Sequence, residues 1–434
     1  MRNSLNWIVG LVGLSCPLAA PAADPPKFEF KDGDRVVLLG DTTIERDQKY
    51  GYLETLLTIA NPDKNVTFRN LGWSGDTVRG TARAFFGTEA DGFKHLKEHV
   101  LALKPTVLIV DYGMTDSFDG EAGLPRFVAG LNVLMGVLAE TKARIVLLSP
   151  ISHANLGRPL PDPAAHNESL RRYREAISKV AASRGALFVD LFHEWEKLNG
   201  AIASILTDDG IHLTEEGCWL FGVTLARQLG CLPEPWKARF HHNGRLGEVS
   251  GTSVTIDPAQ PTGVHFRALD STLPIPQKRR ALDSLVINVV EPRTIVAEGL
   301  PDGAYRLKID QAQVGLSWNF DSHSLDSLRV GAKPATGPSA PVWAKGVEVR
   351  TGPEYEQVER LRKVINEKNL LYFHRWRPQN ETYLFGFRKH EQGNNAREIP
   401  LFDPLVEEKE KEIAKLRKPV PHTYELVRES EVAK

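Results

Sequence analysis

The sequence has little cysteine. Three cysteines occur among 434 residues, and Cys16 lies in an N-terminal stretch that we expect to be removed. Cys218 and Cys231 flank CWLFGVTLARQLGC, an apolar helical pattern. About thirteen residues of helix, at 1.5 Å each, separate these two ends by roughly 20 Å, whereas a disulfide needs Cα atoms within about 7 Å. We therefore expect two free, packed thiols, with neither a disulfide nor a metal role.

The sequence also lacks an excess of positive or negative charge. Lys and Arg number 54, Asp and Glu number 55, and the formal net charge is −1. This balance gives no reason to expect a nucleic-acid or anionic-membrane partner. The sequence shows no Cys/His spacing for zinc, no CxxCH for haem and no GxxxxGK[ST] for a nucleotide. We therefore expect no metal and no cofactor.

The apolar run at the N-terminus predicts the location of the protein. Arg2 precedes WIVGLVGLSCPLAAPA, and small residues close the run before Asp24. This layout is typical of a cleaved secretory signal, here residues 1–23. The run is short and interrupted by proline, so an uncleaved transmembrane anchor is the less favoured alternative. We expect a secreted or periplasmic protein with no integral membrane span after cleavage and with an undetermined oligomeric state.

Short apolar runs alternate with amphipathic stretches across the first half of the chain. The candidate strands are RVVLLG (35–40), VTFRNLG (66–72), TVLIVDYG (106–113), ARIVLLSPI (143–151) and ALFVDL (186–191). They are rich in Val, Ile and Leu, as are strands buried on both faces of a parallel sheet. The helical patterns between them predict a covering layer on each face. Residues 24–236 are thus expected to form an α/β domain.

The pattern changes after Pro233. Residues 240–343 are predicted to form a small, mostly antiparallel β-rich module that ends in a Pro/Gly-rich linker, GAKPATGPSAPVW (331–343). Residues 344–434 are predicted to form a helical C-terminal extension, which contains HRWRPQNETYLFGFRKHEQGNN (374–395). Left exposed, the aromatics of this segment would form a large apolar patch. We therefore expect the segment to fold back onto the α/β domain.

Four motifs carry the candidate chemistry. They are Gly40-Asp41-Thr42, Asn70-Leu71-Gly72-Trp73-Ser74-Gly75-Asp76-Thr77, Gly113-Met114-Thr115-Asp116 and Asp209-Gly210-Ile211-His212. The first three end candidate strands, where open α/β sheets bind their ligands. In the fourth, Asp209 is close enough in sequence to orient His212, which could then take a proton from a hydroxyl group.

Together these motifs resemble the SGNH hydrolase superfamily, also called GDSL esterases, over roughly residues 34–231. The resemblance implies a flavodoxin-like three-layer α/β/α sandwich with a parallel sheet and ester hydrolysis without a metal. The nucleophile would fall at Thr42 and the acid–base pair at Asp209 and His212. The oxyanion donors would be the backbone N–H of Thr42, Gly75 and Thr115. Asp41 is a further site candidate, as a turn residue or in substrate binding.

Two signature positions depart from the family: threonine replaces serine at Thr42 and asparagine at Thr115. The β-branch of Thr42 restricts its side-chain torsion and crowds nucleophilic attack, so Thr42 as a plain helix cap stays open. One alternative is therefore a catalytically silent domain that binds a glycan or a cell-envelope partner. Another is a structural envelope protein.

The substrate hypothesis rests on the extension and on the expected extracytoplasmic location. The extension resembles a C-terminal extension of secreted SGNH proteins from planctomycete-type bacteria, and it offers aromatic faces and arginine donors suited to sugars. We therefore expect a small-molecule or glycan ester, such as an acylated carbohydrate, as the substrate. His153 and His166 flank a Pro-rich loop, which is either part of the pocket wall or a plain surface loop.

Overall fold

The computed structural model describes residues 28–198, 202–241, 244–257, 264–277, 291–320, 328–329 and 343–429. The expected signal segment 1–23 lies outside these residues. So do nearly all of the linker at 331–343 and of SLVINVVE (284–291), an apolar run that predicts a strand of the β-rich module.

Five parallel strands form the central sheet of the α/β domain, in the order β2-β1-β3-β4-β5. They are β1 (Arg35–Gly40), β2 (Thr67–Gly72), β3 (Val107–Asp111), β4 (Arg144–Leu148) and β5 (Leu187–Val189). This is the flavodoxin-like order, in which the strand order reverses between β1 and β3 and a ligand crevice forms at that point. The predicted fold class is confirmed.

Helices cover both faces of this sheet. They are α1 (Thr42–Tyr50), α2 (Tyr52–Ile59), α3 (Glu89–Ala102), α4 (Gly120–Ala139), α5 (Ala164–Arg184), α6 (Leu191–Trp195), α7 (Ala203–Leu206) and α8 (Glu215–Gln228). Val36 and Leu38 of β1 pack in one core with α2 and α8. Val37 and Leu39 pack in the other, with α3 and α4. Two-sided burial explains why these strands do not alternate in polarity.

The two cysteines of the α/β domain form no disulfide within the described residues. Cys218 lies inside α8 and Cys231 follows it, and both are buried. Both belong to the hydrophobic core that α2 and α8 form on one face of the sheet. The prediction of two packed thiols without a disulfide between them is confirmed.

One described helical stretch, Asp116–Ala139, is long and apolar enough to cross a membrane by length and composition. It consists of a 3-10 turn, Asp116–Asp119, followed by α4. Phe127, Leu131 and Leu138 of this stretch are buried against the central sheet. A core helix of an α/β domain can have the same length and composition, and this stretch packs as such a helix.

Two five-stranded sheets form the β module, in the orders β13-β14-β10-β6-β7 and β12-β11-β15-β9-β8. Their strands are β6 (Lys237–Phe240), β7 (Leu246–Ser250), β8 (Thr252–Ile256), β9 (Val264–Asp270), β10 (Arg293–Glu298), β11 (Gly303–Ile309), β12 (Ala312–Phe320), β13 (Leu328–Arg329), β14 (Trp343–Val349) and β15 (His422–Arg428). All described pairings are antiparallel except β6 with β10. Phe240, Phe266 and Leu307 belong to their common core.

The C-terminal extension is helical for most of its length but not to its end. Its helices are α9 (Pro353–Trp376), α10 (Glu381–Leu384), α11 (Lys389–Gln392) and α12 (Phe402–Leu416), with a 3-10 helix at Gly393–Leu401. The chain then returns to the β module as β15, between β9 and β11. His422, Tyr424 and Leu426 point inward at alternate positions, which is the strand period. Prediction of an entirely helical extension therefore missed this strand.

Helix α9 covers the edge of the central sheet. Lys368 donates a hydrogen bond to the carbonyl oxygen of Phe68 in the edge strand β2, at 3.1 Å, and forms a buried ion pair with Glu54. Covering an edge strand protects its unpaired backbone groups. Trp376 packs against Trp73, with ring centroids 5.7 Å apart, so the predicted folding back of the extension is confirmed.

Replacing Lys368 by methionine is expected to lower the free energy of unfolding by about 3–5 kcal/mol, because it leaves the carboxylate of Glu54 buried without its partner. The side chains of the pair are 1% and 5% exposed. Urea unfolding measures the change. Lys409→Met is the control, because Lys409 and Glu367 pair nearer the surface and the expected loss is below about 1 kcal/mol. Equal losses in the two variants would contradict this account of docking.

Candidate active site

Thr42 stands where strand β1 turns into helix α1. Asp41 caps the helix and accepts a hydrogen bond from the Thr43 amide at 3.4 Å. The strand comes so close to β3 that a Cβ on Gly40 would lie 2.5 Å from the Asp111 carbonyl oxygen. Thr42 Oγ1 accepts a hydrogen bond from the Gly75 amide at 3.3 Å. The predicted nucleophile and one predicted oxyanion donor therefore meet at the switch point of the sheet.

Gly75 lies on an exposed turn after strand β2. Its φ of +74° belongs to the left-handed region, which favours glycine. A Cβ at this position would have no atom within 4 Å, so the space beside the backbone is open. The Trp73 amide donates to the Gly40 carbonyl oxygen at 3.0 Å and holds the turn against β1. The Gly75 amide is thus placed to donate to a ligand next to Thr42.

Thr115 directs both of its donors inward. Its amide and its hydroxyl lie 3.4 Å and 3.5 Å from Oδ2 of Asp41. Asp41 is completely buried, and its burial, followed by the neighbouring carboxylate of Asp111, raises its pKa well above the ordinary value. These contacts favour the turn role of Asp41 over a substrate-binding role. They also leave the Thr115 hydroxyl turned toward a carboxylate instead of toward the open space at Gly75.

Asp209 and His212 form a hydrogen-bonded pair, with Asp209 Oδ2 at 2.7 Å from His212 Nδ1. The other carboxylate oxygen accepts from the amides of Ile211 and His212, at 3.0 Å and 2.9 Å. Burial alone would raise the pKa of Asp209, but the hydrogen bonds from His212 and Ile211 lower it to about 2. Because an ionised carboxylate only accepts, His212 carries its proton on Nδ1 and presents Nε2 as a base.

Gly210 shapes the loop that carries this pair. Its φ is +89°, and a Cβ here would lie 2.4 Å from the Ala154 carbonyl oxygen. The Ala154 amide donates to the Gly210 carbonyl oxygen at 2.8 Å. Since Ala154 follows strand β4, this bond places the loop at the carboxyl edge of the sheet, where Thr42, Gly75 and Thr115 also lie.

Arg46 ties the same loop to helix α1, and the sequence pattern did not predict this. Its Nε donates to the Leu213 carbonyl oxygen at 3.0 Å, and its Nη2 forms an ion pair with Asp208. Arg46 lies about one helical turn after Thr42, so the residues on both sides of the Asp209–His212 pair are fixed to the helix that begins at Thr42. Within the described residues no hydrogen bond joins His212 to Thr42. Catalytic hydrogen bonds are often long in unliganded sites and shorten when substrate binds.

His153 and His166 stack beside this loop, with ring centroids 4.7 Å apart. Phe118 is well exposed, stacks on His166 at 4.2 Å and lies 6.1 Å from His153, measured between ring centroids. Burial, followed by the charge of His166, lowers the pKa of His153 to about 4, and Asp209 and His212 also act on it. These three rings therefore lie near the Asp–His pair. This position favours the alternative in which the Pro-rich loop is part of the pocket wall.

Stability should depend on pH through His153. Between pH 6.5 and 4 the unfolded state binds more protons at this residue than the folded state, so stability falls as pH falls through this window. His153→Gln should reduce the loss of unfolding free energy between pH 7.5 and 4.5 by about 2 kcal/mol. Urea unfolding at the two pH values measures it, with exposed His390→Gln as the control. An unchanged pH dependence in His153→Gln would contradict the assignment.

Two surface cavities, each of about 620 Å³, lie away from these residues. One lies between α4 and α5, and its wall includes Leu124, Arg172 and Lys179. The other lies at the opposite end of the sheet, where Arg35, Thr106 and Arg144 mark the beginnings of strands. Neither contains the four motifs. Neither cavity brings a hydroxyl, a histidine and a carboxylate together in its wall.

A hydroxyl, an exposed amide and an Asp–His pair thus lie at the carboxyl edge of a flavodoxin-like sheet, and these are the groups that a hydroxyl-nucleophile hydrolase uses. Residues 39–220 match the model of the GDSL-like Lipase/Acylhydrolase family. This part of the α/β domain is therefore similar to GDSL-like (SGNH) hydrolases, the superfamily that the four motifs resemble. None of the curated proteins compared with the chain matches it.

Solved structures extend the fold comparison to the rest of the chain. A gut microbial diltiazem-metabolizing enzyme is similar over 94% of this chain and 100% of its own, with 16% identity and a TM-score of 0.70. At this identity the likeness shows a shared fold, which includes the β module and the extension. An acetylxylan esterase from Geobacillus stearothermophilus matches 46% of this chain and 96% of its own, with 19% identity and a TM-score of 0.36. A GDSL-like lipase from Parabacteroides merdae matches 48% and 100%, with 18% identity and a TM-score of 0.40.

Proposed function

We propose that this protein is a secreted or periplasmic bacterial ester hydrolase that uses Thr42 as nucleophile, His212 as general base and Asp209 as its orienting carboxylate. The observation that carries the proposal is the Asp209–His212 hydrogen bond of 2.7 Å. The loop of this pair is fixed to the helix that begins at Thr42. A histidine held this way has one nitrogen fixed as a donor and the other available as a base.

The chemistry follows from these positions. Thr42 Oγ1 attacks the ester carbonyl carbon while His212 Nε2 takes the hydroxyl proton. Asp209 stabilises the imidazolium, and the Gly75 amide turns from Thr42 Oγ1 to the developing oxyanion. The tetrahedral intermediate expels the alkoxide, which receives the proton from His212. Water then cleaves the acyl–threonine ester by the same steps in reverse order, and no metal takes part.

An acylated carbohydrate is the substrate that we propose. Phe86 and Phe387 are 80% and 71% exposed, and their rings contact each other at 5.8 Å. Phe85 next to them contacts Trp73, two residues before Gly75. Exposed aromatic faces beside a site favour stacking on sugar rings. The expected secretory signal and the resemblance of the extension to those of planctomycete-type proteins agree with a polysaccharide environment.

One observation favours a second candidate, a catalytically silent domain that binds a glycan or cell-envelope partner. Thr42 is only 7% exposed, and its hydroxyl is already bonded to the Gly75 amide. The donors of Thr115 are directed to buried Asp41. A site whose donors are satisfied internally has less to offer a developing oxyanion.

Hydrolysis of short p-nitrophenyl esters and of acetylated xylo-oligosaccharides by the mature chain separates the two candidates. The esterase proposal predicts turnover that His212→Ala removes, with faster release of acetate from the oligosaccharide. The silent alternative predicts no turnover above His212→Ala, together with saturable binding of the deacetylated oligosaccharide by calorimetry. Turnover that is equal in both proteins would contradict the proposed catalytic pair.

A further inference from the structure

The end of helix α9 lies against the turn that presents Gly75. Pro378 disfavours helical backbone at the preceding residue, and α9 accordingly ends at Trp376. Arg377 leaves the helix direction, and its guanidinium carbon lies 3.7 Å from the ring centroid of Trp73. Trp376 packs edge-on against the same ring. Two consecutive residues of the extension thus pack against Trp73, the first residue of the turn that contains Gly75.

Glu45 connects this contact to the predicted oxyanion donor. Arg377 Nη1 donates to Glu45 Oε1 at 3.2 Å. The other oxygen of Glu45 accepts a hydrogen bond from the Ser74 amide. The next amide is that of Gly75, which donates to Thr42 Oγ1. A hydrogen-bonded chain therefore runs from the extension through helix α1 to the predicted nucleophile.

The charges in this chain also bear on the reaction. Both side chains of the Arg377–Glu45 pair are mostly buried, at 26% and 21% exposure. Without the guanidinium, the Glu45 carboxylate would remain as an uncompensated negative charge beside the place where an oxyanion develops. It would also be released to rotate toward solvent, away from the Ser74 amide.

We propose that Arg377 is a positioning residue of the active site: through Glu45 it holds the Ser74–Gly75 turn in the orientation that serves the oxyanion. The C-terminal extension, outside the matched family region, thereby completes the catalytic domain. This inference rests on the proposed function, but the geometry of the turn can be measured without any activity.

The test compares Arg377→Ala with Arg375→Ala. Arg375 lies two residues earlier, at the surface, where it pairs with Asp403. Arg377→Ala should lower kcat for p-nitrophenyl acetate by about 10- to 100-fold with little change in KM, because a displaced oxyanion donor costs less than a removed one. Inhibition by a phenylboronic acid, a tetrahedral analogue, should weaken by a similar factor. Arg375→Ala should stay within about twofold of the parent.

Rescue and amide exchange separate positioning from general stability. Glu45→Gln in the Arg377→Ala background removes the uncompensated charge and keeps an acceptor for Ser74, so it should recover most of the lost kcat. Arg377→Lys should be intermediate, because it keeps the charge but loses the planar stacking. Hydrogen–deuterium exchange of the peptide with residues 73–76 should be faster in Arg377→Ala and unchanged in Arg375→Ala.

Unchanged exchange at residues 73–76 in Arg377→Ala would overturn the inference, whatever the activity. A fall in kcat that Arg375→Ala shares, or that simply follows a lower melting temperature, would also overturn it. If the parent has no His212-dependent turnover, the proposed function fails on its own, and the exchange result alone then decides whether Arg377 positions the turn.

Discussion

His212→Ala should reduce kcat/KM for an activated ester by about 10²–10⁴-fold, because general acid–base catalysis contributes this much. Asp209 fixes the ring nitrogen Nδ1 of His212 at 2.7 Å. Because His212 lies in a loop, the variant removes the base without disturbing the strands that hold Thr42. Initial rates on p-nitrophenyl acetate across pH 6–9 measure the loss.

Two further variants sharpen this first prediction. Asp209→Asn keeps the size of the side chain but replaces a pure acceptor with a group that can donate, so His212 loses its fixed tautomer and turnover should fall by a similar order. His390→Ala is the matched control, because His390 is 73% exposed on the extension. Loss of activity in His390→Ala, or full activity in Asp209→Asn, would contradict the assigned pair.

Thr42→Ser combined with Thr115→Asn should raise kcat/KM on the same ester by about 10²–10³-fold, the value of one well-placed oxyanion donor. The serine removes the methyl group that crowds attack. The Thr115 hydroxyl contacts Asp41. Asparagine has a longer side chain, so its amide N–H group would extend beyond that position. Thr42→Ser alone should give about a fivefold gain, equivalent to roughly 1 kcal/mol of relieved crowding.

Thr42→Ala is the companion to this second prediction, because it removes the hydroxyl and leaves the hydrogen bond from the Thr43 amide to the Asp41 cap in place. It should reduce turnover to the His212→Ala background. Full activity in Thr42→Ala would place the nucleophile elsewhere, with Thr43 or a water activated by His212 as the next candidates. A double variant no faster than the parent would show that Thr115 does not limit the oxyanion site.

The central sheet and the order of its motifs could be predicted from sequence, because both follow from local pattern. Runs such as VVLL in β1 are apolar at successive positions, and successive positions enter two different cores. Gly40, Gly75 and Gly210 stand where a close approach or a left-handed backbone requires glycine. The motifs at the strand ends therefore had to meet at one edge of the sheet.

The residues that support the site could not be predicted in this way, because their partners are distant in sequence. Arg46 binds the carbonyl oxygen of Leu213, 167 residues later, and Arg377 binds Glu45 across 332 residues. Each is a single charged side chain with no periodic signal. The exposure of Phe385, at 53%, was also not predicted, because the aromatic segment that contains it was expected to fold back onto the α/β domain.

The last strand was missed for a related reason. HTYELVR has the alternation of a strand, but it follows a long helical region and pairs with strands more than 100 residues earlier. Only the tertiary arrangement shows that β9 and β11 are not direct neighbours and that β15 pairs with both of them.

Covalent trapping of the nucleophile tests the central claim most directly. The mature chain is treated with an alkyl fluorophosphonate, and intact-mass spectrometry and peptide mapping locate the adduct. The account predicts one phosphonyl group per chain, on Thr42, formed rapidly in the Thr42→Ser variant, more slowly in the parent and not in His212→Ala. An ester-hydrolysing parent whose adduct lies on any other residue, or whose labelling does not depend on His212, would contradict it.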